Sequence, residues 1–178
     1  MKIGITGAQS TGKTTLLNAL RSEPCFKEYS ICDEVTRRVQ SYNLPINEMG
    51  NDTTQRLIMQ EHIVNVFMHD DLITDRTALD GLVYTRYLFE QGRLKEDTLK
   101  YAEDVFERVW FQYDYVFFIE PEFSIEDDGV RSIDLKFRDS IVSYFHNEIV
   151  ERKLNVVYIT GSVRQRVNTV LTTVGVEL

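Results

Sequence analysis

The sequence predicts an α/β protein in which a parallel sheet is covered by helices on both faces. Three observations carry this. Short apolar runs of strand composition alternate with longer amphipathic stretches along the whole chain. The first run leads directly into a glycine-bracketed loop of the pattern G-x-x-x-x-G-K-[ST]. One run, Tyr115–Ile119, is apolar at every position, as a strand buried on both sides must be. The 178 residues, 43% hydrophobic, suffice for one well-buried domain and offer little for two, so residues 1–178 are expected to form a single domain. No internal repeat or low-complexity tract interrupts them.

Residues 2–6 predict the first strand, residues 7–12 a loop, and Lys13, Thr14 and Thr15 open an apolar helix. Glycines let the backbone fold back so that successive N–H groups point into one concavity, and the positive helix end adds to the field on a bound anion. Gly7, Ala8, Gln9, Ser10, Thr11, Gly12 and Thr15 therefore form a cradle for ATP phosphates. Lys13 is placed to reach the β- and γ-phosphates, and the Thr14 hydroxyl to complete the shell of Mg²⁺. The expected ligand is a nucleoside triphosphate.

Residues 29–32 fit a second strand, followed at once by Asp33-Glu34-Val35-Thr36-Arg37. Carboxylates at the carboxyl end of a strand in an open α/β sheet sit at the ligand crevice. Such a carboxylate can accept a proton from a substrate hydroxyl, and an arginine three positions on can clamp the substrate. Residues 43–51 read as a loop with Pro45 and Gly50. Asp52 and Gln55 then suggest a capping box for a helix to about His69, with Leu57, Val64 and Met68 on one stripe and Ile63 and Phe67 beside it. His62 and His69 share a face without a third ligand and read as ordinary surface or core histidines. Gln60 and Glu61 fit a cleft and plain solvation equally.

Residues 71–74 predict a third strand ending at Asp75-Arg76-Thr77. Asp75 falls where a carboxylate orients Mg²⁺ through water, and Arg76 beside it can stabilise charge on a transferring phosphoryl group. Asp80 and Tyr84 follow at i, i+4 on a helix over residues 79–91, closed by Gly92. Residues 94–110 form an amphipathic helix with Leu99, Ala102, Val105, Phe106 and Val109 inward. After the strand Tyr115–Ile119, residues 120–131 are polar and aperiodic, with Arg131 at their end, and are expected to form a short lid. Ser132 caps the next helix, whose Ile133, Phe137, Ile141, Phe145 and Ile149 recur every four residues. A last strand at 155–160 turns through Gly161 and Ser162 into a closing helix bearing Val163, Val167 and Leu171. The strand ends, with residues 7–14, Asp33, Glu34, Asp75, Arg76, Glu120 and Gly161, should converge on one edge of the sheet.

A net charge of −8 and a pI near 4.9 argue against a surface built for duplex DNA. A nucleic-acid acceptor would need a local basic cleft from Arg37, Arg38, Arg76 and Arg86. Cys25 and Cys32 suggest neither a disulfide framework nor a zinc site. With no secretory-type opening and no apolar run of membrane-spanning length, the expected protein is cytoplasmic and has no membrane partner.

The P-loop sequence GITGAQSTGKTTL, the acid-x-x-Arg element Glu34-Val35-Thr36-Arg37, Asp75-Arg76-Thr77 with Asp80 and Tyr84, Asp128-Gly129-Val130-Arg131 and the segment from Gly161 to Arg166 together resemble the NadR-like, AAA-type P-loop kinase domain. That family includes ribosylnicotinamide kinase. The resemblance implies a three-layer P-loop NTPase fold of kinase type with a five-stranded parallel sheet ordered 2-3-1-4-5. It also implies ATP- and Mg²⁺-dependent transfer of the γ-phosphoryl group to a hydroxyl of a nucleoside, nicotinamide riboside or nucleotide. By the same resemblance Glu34 is the base or hydroxyl partner, Arg37, Asp80 and Tyr84 bind substrate, and Thr14 and Asp75 serve Mg²⁺. Arg76 and Arg131 neutralise the moving group, while Gly161 and Arg166 border the adenine. Asp33, a second acid beside Glu34, leaves the base open between the two. The acid-x-x-Arg element is also similar to that of polynucleotide kinases, so a kinase of polynucleotides or hydroxymethylated bases is the alternative. A nucleotide-binding regulatory module without transfer is the alternative of another class; it would not need both Glu34 and a lid arginine.

Overall fold

The computed structural model describes residues 1–121 and 135–176, Leu135 by its backbone alone. Five strands, β1 Lys2–Thr6, β2 Ser30–Cys32, β3 Leu72–Asp75, β4 Tyr115–Ile119 and β5 Val157–Ile159, form one parallel sheet in the order β2-β3-β1-β4-β5. The expected order is therefore observed. Helices α1 Lys13–Arg21, α2 Val35–Ser41, α3 Asp52–Met68, α4 Ala78–Glu90, α5 Glu96–Val109, α6 Leu135–Glu151 and α7 Val163–Thr173 connect and cover them. Among the described residues no helix is long and apolar enough to cross a membrane.

Alternation along the strands divides the core into two layers. Ile3, Ile5, Ile73, Phe117 and Ile119 face α1 and α7 through Leu16, Leu17, Leu20, Val170 and Leu171. Leu72, Val116 and Phe118 face the opposite layer of Leu79, Leu82, Phe106, Val109, Ile141 and Phe145. The inward residues of α5 are buried as their spacing predicts, and so are Phe137, Ile141, Phe145 and Ile149 of α6. Ile133, Ser132 and residues 122–131 of the expected lid lie outside the described residues.

Register places the site. Ile5 pairs with Asp75 and Cys32 with Thr74, so β1, β2 and β3 end level with one another. The loop after β1, the acids after β2 and the Asp75-Arg76 pair are thereby brought to one edge, as in open α/β sheets generally.

Two expectations are corrected. The cap of α3 is Asn51, whose side chain accepts from the Thr54 N–H at 3.0 Å, while Asp52 accepts from the Lys95 N–H at 3.0 Å. The predicted apolar stripe of α3 is only partly met: Leu57 and Ile63 pack against the core, but Val64, Phe67 and Met68 are 51, 56 and 72% exposed, while Thr54, Gln55, His62 and Asn65 are buried with Ile58, Met59 and Val66. A helix that walls a polar cleft must turn polar groups inward, and hydrophobic periodicity then points the wrong way. The chain also forms a separate helix, α2, where only a helical turn was expected.

Candidate active site

The P-loop is shaped by two positions that only glycine fits. Gly7 has φ +140° and a Cβ there would lie 2.4 Å from the Ile119 carbonyl oxygen; Gly12 has φ +90°. The Lys13 ammonium, 5% exposed, folds back over the loop and donates to the Gly7 and Ala8 carbonyls at 2.9 and 2.6 Å. Burial first and the Arg76 charge second lower its pKa to about 8. Arg166 reaches the same loop from α7, donating to the Thr11 carbonyl at 2.8 Å and to Gly161 at 2.8 Å. The Thr15 side chain is on the exposed side of α1.

The Thr14 hydroxyl donates to Asp75 Oδ2 at 2.5 Å, joining the loop to the end of β3. Asp75 is fully buried, and its Oδ1 has no hydrogen-bond partner among the described residues. Burial pushes its pKa up, against the pull of Lys13.

Behind this pair lies a cluster of buried charge. Arg76 sits at φ +80°, a left-handed conformation that a side-chain-bearing residue adopts only where its surroundings enforce it. Its backbone N–H donates to Ile5 at 2.8 Å. Nε and Nη2 both donate to Glu34 Oε1, at 2.7 and 2.6 Å, and Nη1 lies 3.4 Å from Asp80 Oδ1. Glu34 Oε2 is 3.3 Å from Nε of Arg37, whose side chain is 41% exposed. Asp80 has a second duty: its Oδ2 accepts from Thr6 Oγ1 at 2.6 Å and from the Thr77 N–H at 2.8 Å, closing the capping box of α4. Tyr84 lies under the Arg76 guanidinium at 5.5 Å and donates to Gln9 Oε1 at 2.9 Å.

A narrow cleft opens beside this cluster. Arg76, Asp80, Gly81 and Tyr84 form one wall, Gln55, Ile58 and His62 of α3 another, and Thr36 and Asn47 its rim. The structure thus brings Lys13, Thr14, Glu34, Arg37, Asp75, Arg76, Asp80 and Tyr84 together. Asp33 is set apart: its carboxylate is 67% exposed and paired with Arg21 at 2.9 Å. Arg131 is outside the described residues. Of the four arginines considered for a basic cleft, Arg38 pairs with Glu61 at 2.6 Å and Arg86 is held by Glu103 and Glu148. His62 and Gln55 line the cleft, where the sequence reads His62 as an ordinary histidine and Gln55 as part of a helix cap; only the polar residues recurring along α3 could have singled them out.

Burial acts to raise the Glu34 pKa, but Arg76 and Lys13 outweigh it and hold the group at about 2, against an ordinary 4.5. A carboxylate with a lowered native pKa contributes stability above its unfolded pKa and loses it as pH falls through the native one. Stability should therefore drop by on the order of 3 kcal/mol between pH 4.5 and 2 through this group alone. Glu34→Gln should flatten that acid limb in denaturant titrations; an unchanged limb would assign the loss to other carboxylates.

Comparison with known proteins fits this geometry. A family model for the AAA domain matches residues 2–166. Among solved structures, NadR protein in complex with NR aligns at a TM-score of 0.75 and 20% identity over 99% of this chain and 52% of that one. The chain thus spans about half the length of that protein. Deoxyadenosine kinase from M. mycoides, with dCMP and dCDP bound, aligns at 0.70 and 14% identity over 98% of both chains. YorR protein from Bacillus subtilis aligns at 0.60 and 17% identity over 98% of this chain and 95% of that one. No curated protein sequence matches significantly. The chain belongs to the AAA domain family, and its fold is that of the NadR-type P-loop kinase domains.

Proposed function

We propose that this protein is a cytoplasmic kinase that moves the γ-phosphoryl group of ATP to a hydroxyl of a nucleoside, nicotinamide riboside or nucleotide. The observation that carries this reading is the placement of the buried Glu34–Arg76–Asp80 cluster between a P-loop and a cleft walled by α3 and α4. A nucleotide switch has no need of such charge on its acceptor side. The neighbours in structure, a deoxyadenosine kinase and a NadR protein in complex with NR, lend support from fold alone.

In this mechanism the backbone N–H groups of the loop and Lys13 bind the donor phosphates, for which Lys13 must leave the Gly7 and Ala8 carbonyls. Thr14 and Asp75 would hold Mg²⁺: one hydroxyl and one carboxylate with an unpartnered oxygen suit an ion that draws its remaining ligands from water and phosphate. Bound there, Mg²⁺ would neutralise charge on the phosphate oxygens. Glu34 accepts the hydroxyl proton through Oε2, the oxygen not taken by Arg76. Arg76, fixed between two carboxylates, presents positive charge toward the transferring group, and Arg37 closes on the acceptor from the cleft rim. Arg131 would add charge from the lid, and Gly161 and Arg166 would border the adenine.

An ATP-consumption screen against nucleosides, nicotinamide riboside, nucleotides and oligonucleotides tests the reading. Strong stimulation by a small acceptor is expected. Stimulation by oligonucleotides alone would establish the polynucleotide alternative, and none at all a regulatory module. Between the two acids, Glu34→Gln should lower kcat about 100-fold or more while ATP binding persists, and Asp33→Asn should have little effect. The opposite pattern would move the base to Asp33.

A further inference from the structure

We propose that His62 is a specificity-determining residue of the acceptor cleft, selecting a ring that carries an amide-like donor–acceptor edge, as an oxo-substituted nucleobase or a carboxamide does. This rests on the reading that the cleft beside Glu34 takes the acceptor.

The imidazole is fully buried in the wall of that cleft, and neither Nδ1 nor Nε2 has a hydrogen-bond partner among the described residues. Its polar neighbours in the cleft are engaged: Gln55 Oε1 accepts from Thr85, Tyr84 donates to Gln9, and Asp80 serves Thr6, Thr77 and Arg76. The ring is held in place against α4. A Cβ at Gly81 would lie 2.3 Å from Met59 Sδ and 3.4 Å from His62 Cδ2, so Gly81 makes room for Met59 and the imidazole packs at van der Waals range against this turn of α4. An aromatic residue without nitrogens would fill the same space with no unpaired polar atom, so a histidine here is a poor choice for packing alone.

Burial lowers its pKa to about 4, Asp80 opposing and Arg76 adding to the effect, so the ring is neutral at neutral pH. A neutral imidazole offers one donor and one acceptor, and the tautomer adapts to which half of an amide it meets. Arg76 is already offset by Glu34 and Asp80, and the imidazole adds an uncharged donor and acceptor to the cleft that no described residue engages.

Equilibrium binding by calorimetry tests this without requiring turnover. The probes are inosine and uridine for the nucleobase source, nicotinamide riboside for the carboxamide source, and purine riboside and ribose as analogues that lack the amide edge. Wild-type protein should bind at least one amide-bearing probe about tenfold or more tightly than purine riboside and ribose. His62→Phe should erase that preference while its Tm stays level or rises, and His62→Gln, which restores a donor and an acceptor, should recover it. In turnover the same loss should fall on the acceptor KM, with the KM for ATP unchanged. Preference retained in His62→Phe, or no amide preference in wild type, overturns the proposal. Selective binding without phosphoryl transfer supports His62 and overturns the kinase reading instead; transfer with the preference unmoved in His62→Phe does the reverse.

Discussion

Arg76→Ala should be the most damaging single substitution on both stability and activity. The change leaves Glu34 and Asp80, 3 and 2% exposed at their side chains, without the guanidinium that both face. Removing one partner of a buried ion pair typically costs about 3–5 kcal/mol, because the remaining charge stays buried and uncompensated. For a domain of this length that lowers Tm by roughly 10 °C, and no detectable turnover should remain. Arg76→Lys should not restore activity, since one ammonium cannot supply the three contacts that the guanidinium makes to Glu34 and Asp80. Comparison with Arg76→Gly separates charge from backbone strain. Glycine tolerates φ +80° where alanine does not, so it should recover about 1 kcal/mol of the loss and none of the activity. A Tm within 1–2 °C of wild type for Arg76→Ala, in scanning calorimetry, would show that Glu34 and Asp80 relax to water and that the cluster is not a rigid unit.

Lys13→Ala should abolish turnover, with kcat at least about 100-fold down, because the Lys13 ammonium is folded over the P-loop where the phosphates would sit and Arg166 holds the loop at Thr11 instead. The fold should survive. The ammonium's bonds to Gly7 and Ala8 are offset by the burial that lowers its pKa to about 8, so its net contribution to stability is small. The clearest readout needs no acceptor. A ligand at 100 times its Kd stabilises the native state by about 2.7 kcal/mol. Wild-type protein should show that gain with ATP in a thermal shift measurement, and Lys13→Ala should show little at the same concentration. Lys13→Met, which keeps the volume of the stem, should behave alike; ATP stabilisation equal to wild type in both would remove Lys13 from the donor site.

Local chemistry carried much of this in the linear order of residues. Gly7 and Gly12 mark a loop whose backbone only glycine can adopt, and Lys13 and Thr14 follow at the spacing that makes the loop an anion cradle. The five parallel strands were legible because runs such as Tyr115–Ile119 are apolar throughout and alternate with helices, while their order came from the resemblance to the kinase domains. Residues on α3 were misread for a physical reason. Hydrophobic periodicity assumes that the inner face of a helix is apolar, and α3 instead turns Gln55 and His62 toward a cleft while Val64, Phe67 and Met68 face outward.

Asp33 and Glu34 show where the sequence stops. Adjacent and chemically alike, they are indistinguishable in one dimension. The level ends of β2 and β3 set Glu34 against the Arg76 guanidinium and leave Asp33 on the surface beside Arg21. Sequence alone determined the P-loop, because it is built from contiguous backbone and its chemistry is local. Tertiary structure decided the charged cluster and cleft beside it. Glu34, Arg76, Asp80 and His62 come from separate elements, and only packing decides which polar groups are buried together and which remain in water.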